Sequence, residues 1–287
     1  MSKTVPAIRD VKARALIAPI SRPVRNAFGV IEAAPLVLID VSTDQGVTGR
    51  SYIFAYTNLT LKPLVHLIEE IGRDLIGKAV APFDLMAAMD AKFRLLSWQG
   101  LVGMAVSGLD MALWDALGQA AGQPLVELLG GSPRPMRAYD SYGAVDPVAD
   151  EKDLRRSLEQ GFRGIKIKGG DGDAANDERV VKGVRALLGP DIALMLDFNQ
   201  SLDPAEASRR IARLAPYDLH WIEEPVPQEN LSLLSRQWIL DAKHEQELNQ
   251  FCPCILLRFP QQQSKETTVM KHAVLAEVAL FIHRPYA

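Results

Sequence analysis

Cysteine is nearly absent from this chain. Its 287 residues include only Cys252 and Cys254. One intervening residue is too short a spacing for an ordinary structural disulfide, so a disulfide-stapled secreted framework is not expected. Positive charge is not in excess either. Thirty-two Lys and Arg stand against 35 Asp and Glu, a formal charge of −3, with no basic stretch to track a phosphate backbone. The opening residues, Met1 to Pro6, lack the apolar core of a signal peptide, and no apolar run reads as long enough to cross a membrane. A soluble cytoplasmic protein is the expectation, with neither nucleic acid nor membrane as a partner.

What the chain has is enough apolar content, 48%, for one large or two moderate globular cores. Its most informative stretch runs from Gly164 to Pro225. Three short apolar runs lie there: Gly164-Ile-Lys-Ile-Lys-Gly169, Ala193-Leu-Met-Leu-Asp-Phe-Asn-Gln200 and His220-Trp-Ile-Glu-Glu-Pro225. The spacing between them leaves room for one helix each, which is the βαβ rhythm of a parallel sheet. Side chains alternate along a strand, so Lys166 and Lys168 share one face, as do Asp197 and Asn199. These polar groups fall late in their runs, at the strand end where a (β/α) barrel keeps its chemistry. Two lysines, an Asp and a Glu converging there fit a cation bound beside an amine base. Solvated strand ends with structural ion pairs are the blander alternative.

Before this stretch, residues 5–57 read as β structure. Ala34–Val41 and Val47–Tyr56 form a hairpin around Thr43-Asp-Gln-Gly46. Arg22–Gly29 reads as a loop carrying Val24 and Phe28, either a mobile flap or an ordinary connection. Helices are expected over Leu61–Ile76 and Leu101–Ala121, the second stopped by Gly122-Gln-Pro124. Asp110 and Asp115 on that helix read as packing or ion-pair residues. From Met136 the alternation begins, with a strand over Arg137–Gly143 bearing Ser141, then helices over 150–160, 178–188 and 204–215. After about residue 232 the rhythm stops. The expected organisation is an α+β domain over 1–133, four βα-type units over 134–232 and a divergent tail over 233–287.

Several ordered motifs resemble the mandelate racemase/muconate lactonizing enzyme family of the enolase superfamily, over roughly residues 5–232. They are Ala34–Asp40, Ser51–Thr57, Asp110…Trp114-Asp115…Leu129-Gly-Gly131, Ala138–Ser141, Lys166-Ile-Lys168, Asp197–Ser201 and Trp221–Pro225. The resemblance implies an α/β fold: an N-terminal α+β capping domain plus a (β/α) TIM-type barrel, here incomplete at about four βα units. It implies Mg²⁺ held by carboxylates, and abstraction of the proton α to the carboxylate of a small-molecule substrate. Carried over by position, Asp197 and Glu223 resemble metal ligands. Lys168 resembles the general base and Lys166 its neighbour, which binds the substrate carboxylate and helps lower the base's pKa. Ser141 and Asn199 resemble polar contacts to substrate or metal shell. Val24, Phe28, Ile31 and Tyr56 resemble the wall of an apolar pocket suited to an aromatic 2-hydroxy acid.

The residue types suit that chemistry. A free lysine has a pKa of about 10.4, and a second ammonium with a nearby cation would have to depress it toward about 7–8 for use as a base. A divalent cation on hard oxygen ligands stabilises the enediolate. The family pattern is interrupted further on. A third acidic ligand is expected near residue 249, where Asn249 stands with Glu247 close by. The later Asp and His of a racemase find no match at Gln261 or His283. Four strands cannot close a barrel, and subunit pairing is one way to cover the exposed edges, so a homo-oligomer is expected. A non-catalytic truncated homologue, and an acid-sugar dehydratase or lactonizing enzyme, are the competing functions.

Overall fold

The computed structural model describes residues 5–227. Those residues fall into two compact units. The first comprises residues 5–19 with Ala33–Pro135, and the second Ile20–Glu32 with the chain from Met136 onward. The sequence places residues 20–32 in its first segment, whereas here they group with the second unit.

Outside residues 20–32, the first unit holds a sheet in the order β1-β2-β3, with β1 (Ile8–Asn26), β2 (Gly29–Thr43) and β3 (Thr48–Phe54). β2 and β3 pair antiparallel, from Leu36 opposite Phe54 to Ser42 opposite Thr48. The Thr43 hydroxyl fixes their turn, donating to Val47 O at 3.0 Å while accepting from Val47 N at 3.2 Å. Alternate residues Val37, Ile39 and Val41 are fully buried, the inward face of a half-covered sheet. Four helices follow: α1 (Asn58–Arg73), α2 (Pro82–Lys92), α3 (Gly100–Ala121) and α4 (Leu125–Leu128). α3 lies on β3 so closely that a Cβ added at Gly49 would sit 2.0 Å from Ala112 O. Only glycine permits that approach.

α3 also corrects an expectation. Its 22 residues, with a mean hydropathy of 1.3, make it long and apolar enough to cross a membrane. Its Ala, Leu and Val content reflects burial on several sides within the core, where Ala105, Val106, Leu109, Ala112, Leu113 and Ala116 are fully covered. Asp110 is buried on it, and Asp115 accepts from Arg50 N at 2.7 Å and Gln119 Nε2 at 2.7 Å.

The second unit alternates β4 (Asp140–Ser141), α5 (Glu151–Glu159), β5 (Gly164–Lys168), α6 (Ala174–Leu188), β6 (Ala193–Asp197), α7 (Pro204–Leu214) and β7 (Trp221–Glu223). The sheet runs β4-β5-β6-β7, and all its pairings are parallel. Each helix therefore serves as a crossover between neighbouring strands. Asp173 and Asp203 cap α6 and α7, accepting from Asn176 N and Glu206 N at 2.8 Å each. Ile165, Ile167, Leu194, Leu196, Val181 and Leu154 form the core between sheet and helices. The chain is thus an α+β unit followed by an α/β unit with a parallel sheet.

Two expected elements differ. The strand over Arg137–Gly143 reduces to Asp140–Ser141, because only those residues pair in register with β5. The expected loop Arg22–Gly29 is largely strand: β1 continues to Asn26 and β2 begins at Gly29. Asn26 Oδ1 accepts from Phe28 N at 2.9 Å and shapes the tight reversal. The arm alternates between half-buried and exposed residues with no core face, so it carries no apolar signal in the sequence. The tail expected over 233–287 lies outside the described residues.

Candidate active site

Strand register places the charged residues. Lys168 pairs with Asp197 across β5 and β6, and Asp197 pairs with Glu223 across β6 and β7. Parallel strands bring equivalent ends together, so three sequence-distant groups reach one strand end without a long loop. Lys166, Lys168, Asp197 and Glu223 are all at least nine-tenths buried.

Every carboxylate oxygen in this cluster has a donor. Lys166 Nζ lies 2.7 Å from Glu223 Oε1 and 3.7 Å from Asp197 Oδ2. Lys168 Nζ donates to Asp197 Oδ2. Asn199 N donates to Asp197 Oδ1 at 2.8 Å, and Trp221 Nε1 to Glu223 Oε2 at 2.8 Å. The Lys166 ammonium also sits 5.5 Å from the Tyr139 ring centroid, and Tyr139 meets Trp221 edge to face. Burial opposes the Lys166 charge, but the negative charges of Glu223 and Asp197 outweigh it and raise its pKa. Burial and the adjacent Asp197 push the Glu223 carboxyl up to about 7.

The loops after β6 and β7 are fastened to one another. Gln200 N donates to Glu224 O at 2.6 Å, and Gln200 Nε2 to Glu224 Oε1 at 3.1 Å. Asn199, Gln200 and Glu224 all adopt positive φ, at 47°, 61° and 45°. Left-handed backbone is uncommon for non-glycine residues and clusters where function over-determines the chain.

The residues fit a hard divalent cation. Two carboxylates from adjacent strand ends supply oxygen donors, and Mg²⁺ takes one or two such groups with water and substrate oxygens completing its shell. The buried oxygens Asn199 Oδ1, Ser141 Oγ and Ser201 Oγ have no hydrogen-bond partner among the described residues. They remain available to an ion's water or to a substrate hydroxyl. No group of three or more His, Cys, Asp or Glu side chains forms a metal cluster among the described residues. Glu247, Asn249 and His283 lie outside them.

The sequence therefore anticipates the central four residues and places Ser141 and Asn199 beside them on β4 and after β6. Val24, Phe28 and Ile31 lie on the β1–β2 arm in the second unit, with Phe28 73% exposed, whereas Tyr56 belongs to the first unit and is 66% exposed. Sequence reasoning missed Trp221, Tyr139 and Glu224. The signal for Trp221 was its place two residues before Glu223, which puts both on one strand face.

Residues 7–130 match the mandelate racemase/muconate lactonizing enzyme N-terminal domain, and residues 149–239 match the enolase C-terminal domain-like family. The chain belongs to the mandelate racemase/muconate lactonizing enzyme family of the enolase superfamily. Within this family it is similar to an enolase from Bradyrhizobium, solved in complex with magnesium and mandelic acid. That likeness has a TM-score of 0.78 and 74% identity, over 81% of this chain and 64% of that one. It is also 30% identical to the hydrophobic dipeptide epimerase of Enterococcus faecalis, over 78% of this chain and 62% of the relative. Arabinonate dehydratase of Saccharolobus solfataricus is 34% identical, over 70% of this chain and 55% of its own length. The chain thus spans about three fifths of the length of these family members.

Proposed function

We propose that this chain carries the base-and-metal half of a Mg²⁺-dependent enzyme that removes the proton α to the carboxylate of a 2-hydroxy acid such as mandelate. One observation carries the reading: Lys166 and Lys168 project from one face of β5 into contact with Asp197 and Glu223 on the next two strands. Support for the substrate comes from the relative with magnesium and mandelic acid.

Asp197 and Glu223 would hold the ion, and Asn199 Oδ1 and Ser141 Oγ offer further oxygens to its water or to the substrate. When bound, Mg²⁺ stabilises the charge that develops on the substrate carboxylate as the C–H bond breaks. Lys166 is held cationic by its neighbours and pairs with an anion, which suits it to orient the substrate carboxylate. Lys168 now donates to Asp197. If Asp197 held the ion, that Nζ would lose its acceptor, and as the neutral amine, with its own proton released to solvent, it would take the α proton. Trp221 restrains Glu223 through Oε2 and so fixes the direction of its other oxygen.

Lys168 serves one face of the substrate. One-sided proton exchange follows from the described residues, whereas full racemisation requires a second base on the opposite face. The test is to incubate the purified chain with one enantiomer of mandelate and Mg²⁺ in D₂O. Deuterium should enter at the α carbon, and Lys168→Ala should abolish its uptake. Uptake equal to that of the variant ends this reading.

A further inference from the structure

The tip of the β1–β2 arm, residues 20–32, belongs to the second unit, and its contacts fall on the loops at the same strand ends as Lys168 and Asp197. Arg22 makes the most specific of them. Its guanidinium lies 4.0 Å from the Tyr142 ring centroid and donates from a terminal nitrogen to Ser141 O at 3.1 Å, with Asp140 Oδ1 3.6 Å from the same nitrogen. The carboxylate and the ring are themselves braced: Ser157 Oγ donates to Asp140 Oδ2 at 2.6 Å and lies 2.5 Å from the Tyr142 hydroxyl. Ser157 is buried on α5. A stacked, ion-paired arginine on a fixed platform is worth more than a solvated surface pair.

One glycine lets the arm come down. Ala144 N donates to Arg25 O at 2.7 Å, and a Cβ at Gly143 would lie 2.6 Å from Arg25 N. At Gly170, two residues after Lys168, an added Cβ would make only ordinary contact with Ala27 Cβ, at 3.4 Å. The arm has no buried apolar face of its own over these residues, so these contacts must hold it in place.

We infer that Arg22 is a positioning residue: it fastens the arm to the end of β4 and thereby fixes one wall of the substrate site. The inference rests on the proposed site at the strand ends. The arm carries Val24, Phe28 and Ile31, so its placement sets the shape offered to a substrate's side group. Arg22 has no hydrogen bond or ion pair to Lys166, Lys168, Asp197 or Glu223, so its loss acts on substrate binding and leaves the proton transfer intact.

The experiment is hydrogen exchange by mass spectrometry on the full chain, with mandelate–Mg²⁺ exchange kinetics in parallel. The variants are Arg22→Met, Arg22→Lys and, as an independent release of the same arm, Gly143→Ala. Peptides within 20–32 should exchange faster in Arg22→Met and Gly143→Ala than in the unaltered chain, while peptides covering 37–41 keep their protection. KM for mandelate should rise about tenfold in Arg22→Met with kcat retained, and Arg22→Lys should lie between. Unchanged exchange of 20–32 in Arg22→Met overturns the inference. So does equal loosening of 37–41, a loosened arm with unaltered KM, or a fall in kcat alone. If the unaltered chain exchanges no α proton of mandelate, the proposed function fails by itself and the arm's protection still decides the role of Arg22.

Discussion

Lys166 Nζ stands between two carboxylates, 2.7 Å from Glu223 Oε1 and 3.7 Å from Asp197 Oδ2, with all three groups buried. Removing one partner of such a set leaves charge stranded in a poorly solvated place. Lys166→Met should therefore destabilise the metal-free chain by about 3–5 kcal/mol. Urea unfolding at pH 7.5 measures it. Saturating Mg²⁺ should recover a larger part of the loss than the same ion adds to the unaltered chain, because it replaces the missing positive charge.

Asp197→Asn and Glu223→Gln should each remove Mg²⁺ binding in a calorimetric titration, since the ion needs anionic oxygen donors there. Glu224→Gln is the contrasting case. Its side chain lies by Gln200 Nε2 at 3.1 Å and Asn199 Nδ2 at 3.5 Å, so binding should survive the change.

Arg210 and Asp177 form a second buried pair, 2.6 Å apart, joining α7 to α6. Asp177 Oδ1 also accepts from Gly170 N at 3.0 Å, and Arg210 donates to Gly172 O at 3.1 Å. Asp177→Ala should cost about 3–5 kcal/mol and raise hydrogen exchange in 169–173, the loop that follows Lys168. Replacing both partners together, Arg210→Met with Asp177→Leu, should cost less than Asp177→Ala alone.

Gly49→Ala should destabilise by about 3 kcal/mol or more, because the new Cβ runs into the backbone of α3, Ala112 O at 2.0 Å and Ala116 N at 2.6 Å. Gly108→Ala meets only side-chain ends of Ile39 and Ile53, which can swing aside, and should cost less. Thermal unfolding ranks the two.

Asp146 governs a pH effect. Its Oδ1 accepts from Ala149 N and Val148 N at 3.1 and 2.9 Å, with Arg179 3.3 Å from Oδ2, and these donors hold its pKa below the usual carboxylate value of 3.8. A lowered folded pKa means the stabilisation is present above the unfolded value and is lost as pH falls through the folded one. Asp146→Asn should therefore be less stable than the unaltered chain at neutral pH, with the gap closing below about pH 4.

The sequence made the charged cluster legible because parallel strands place equivalent ends together. Once Lys168, Asp197 and Glu223 were seen to end apolar runs, their meeting followed from the period of two and the crossover helices. The helical reading of residues 58–131 gives α2 no bounds of its own, although Pro82 sits at its first position, a common helix opening. α6 begins at Ala174, four residues before Glu178, and the Asp173 cap was the available sign. The β1–β2 arm left no mark, because its residues alternate between half-buried and exposed without an apolar stripe. Trp221 and Glu224 lie within the Trp221–Pro225 motif, yet what each touches depends on side-chain and loop geometry that spacing does not encode.

The arm has a further consequence for recombining members of this family. The N-terminal segment shared by relatives covers residues 7–130, yet residues 20–32 pack as part of the body that holds Lys168 and Asp197. A chimera that exchanges only that segment would graft a foreign arm, Arg22 included, onto a resident Tyr142 and Gly143. A swap of the N-terminal segment that leaves the second unit's packing intact must therefore keep the host's own residues from 20 to 32.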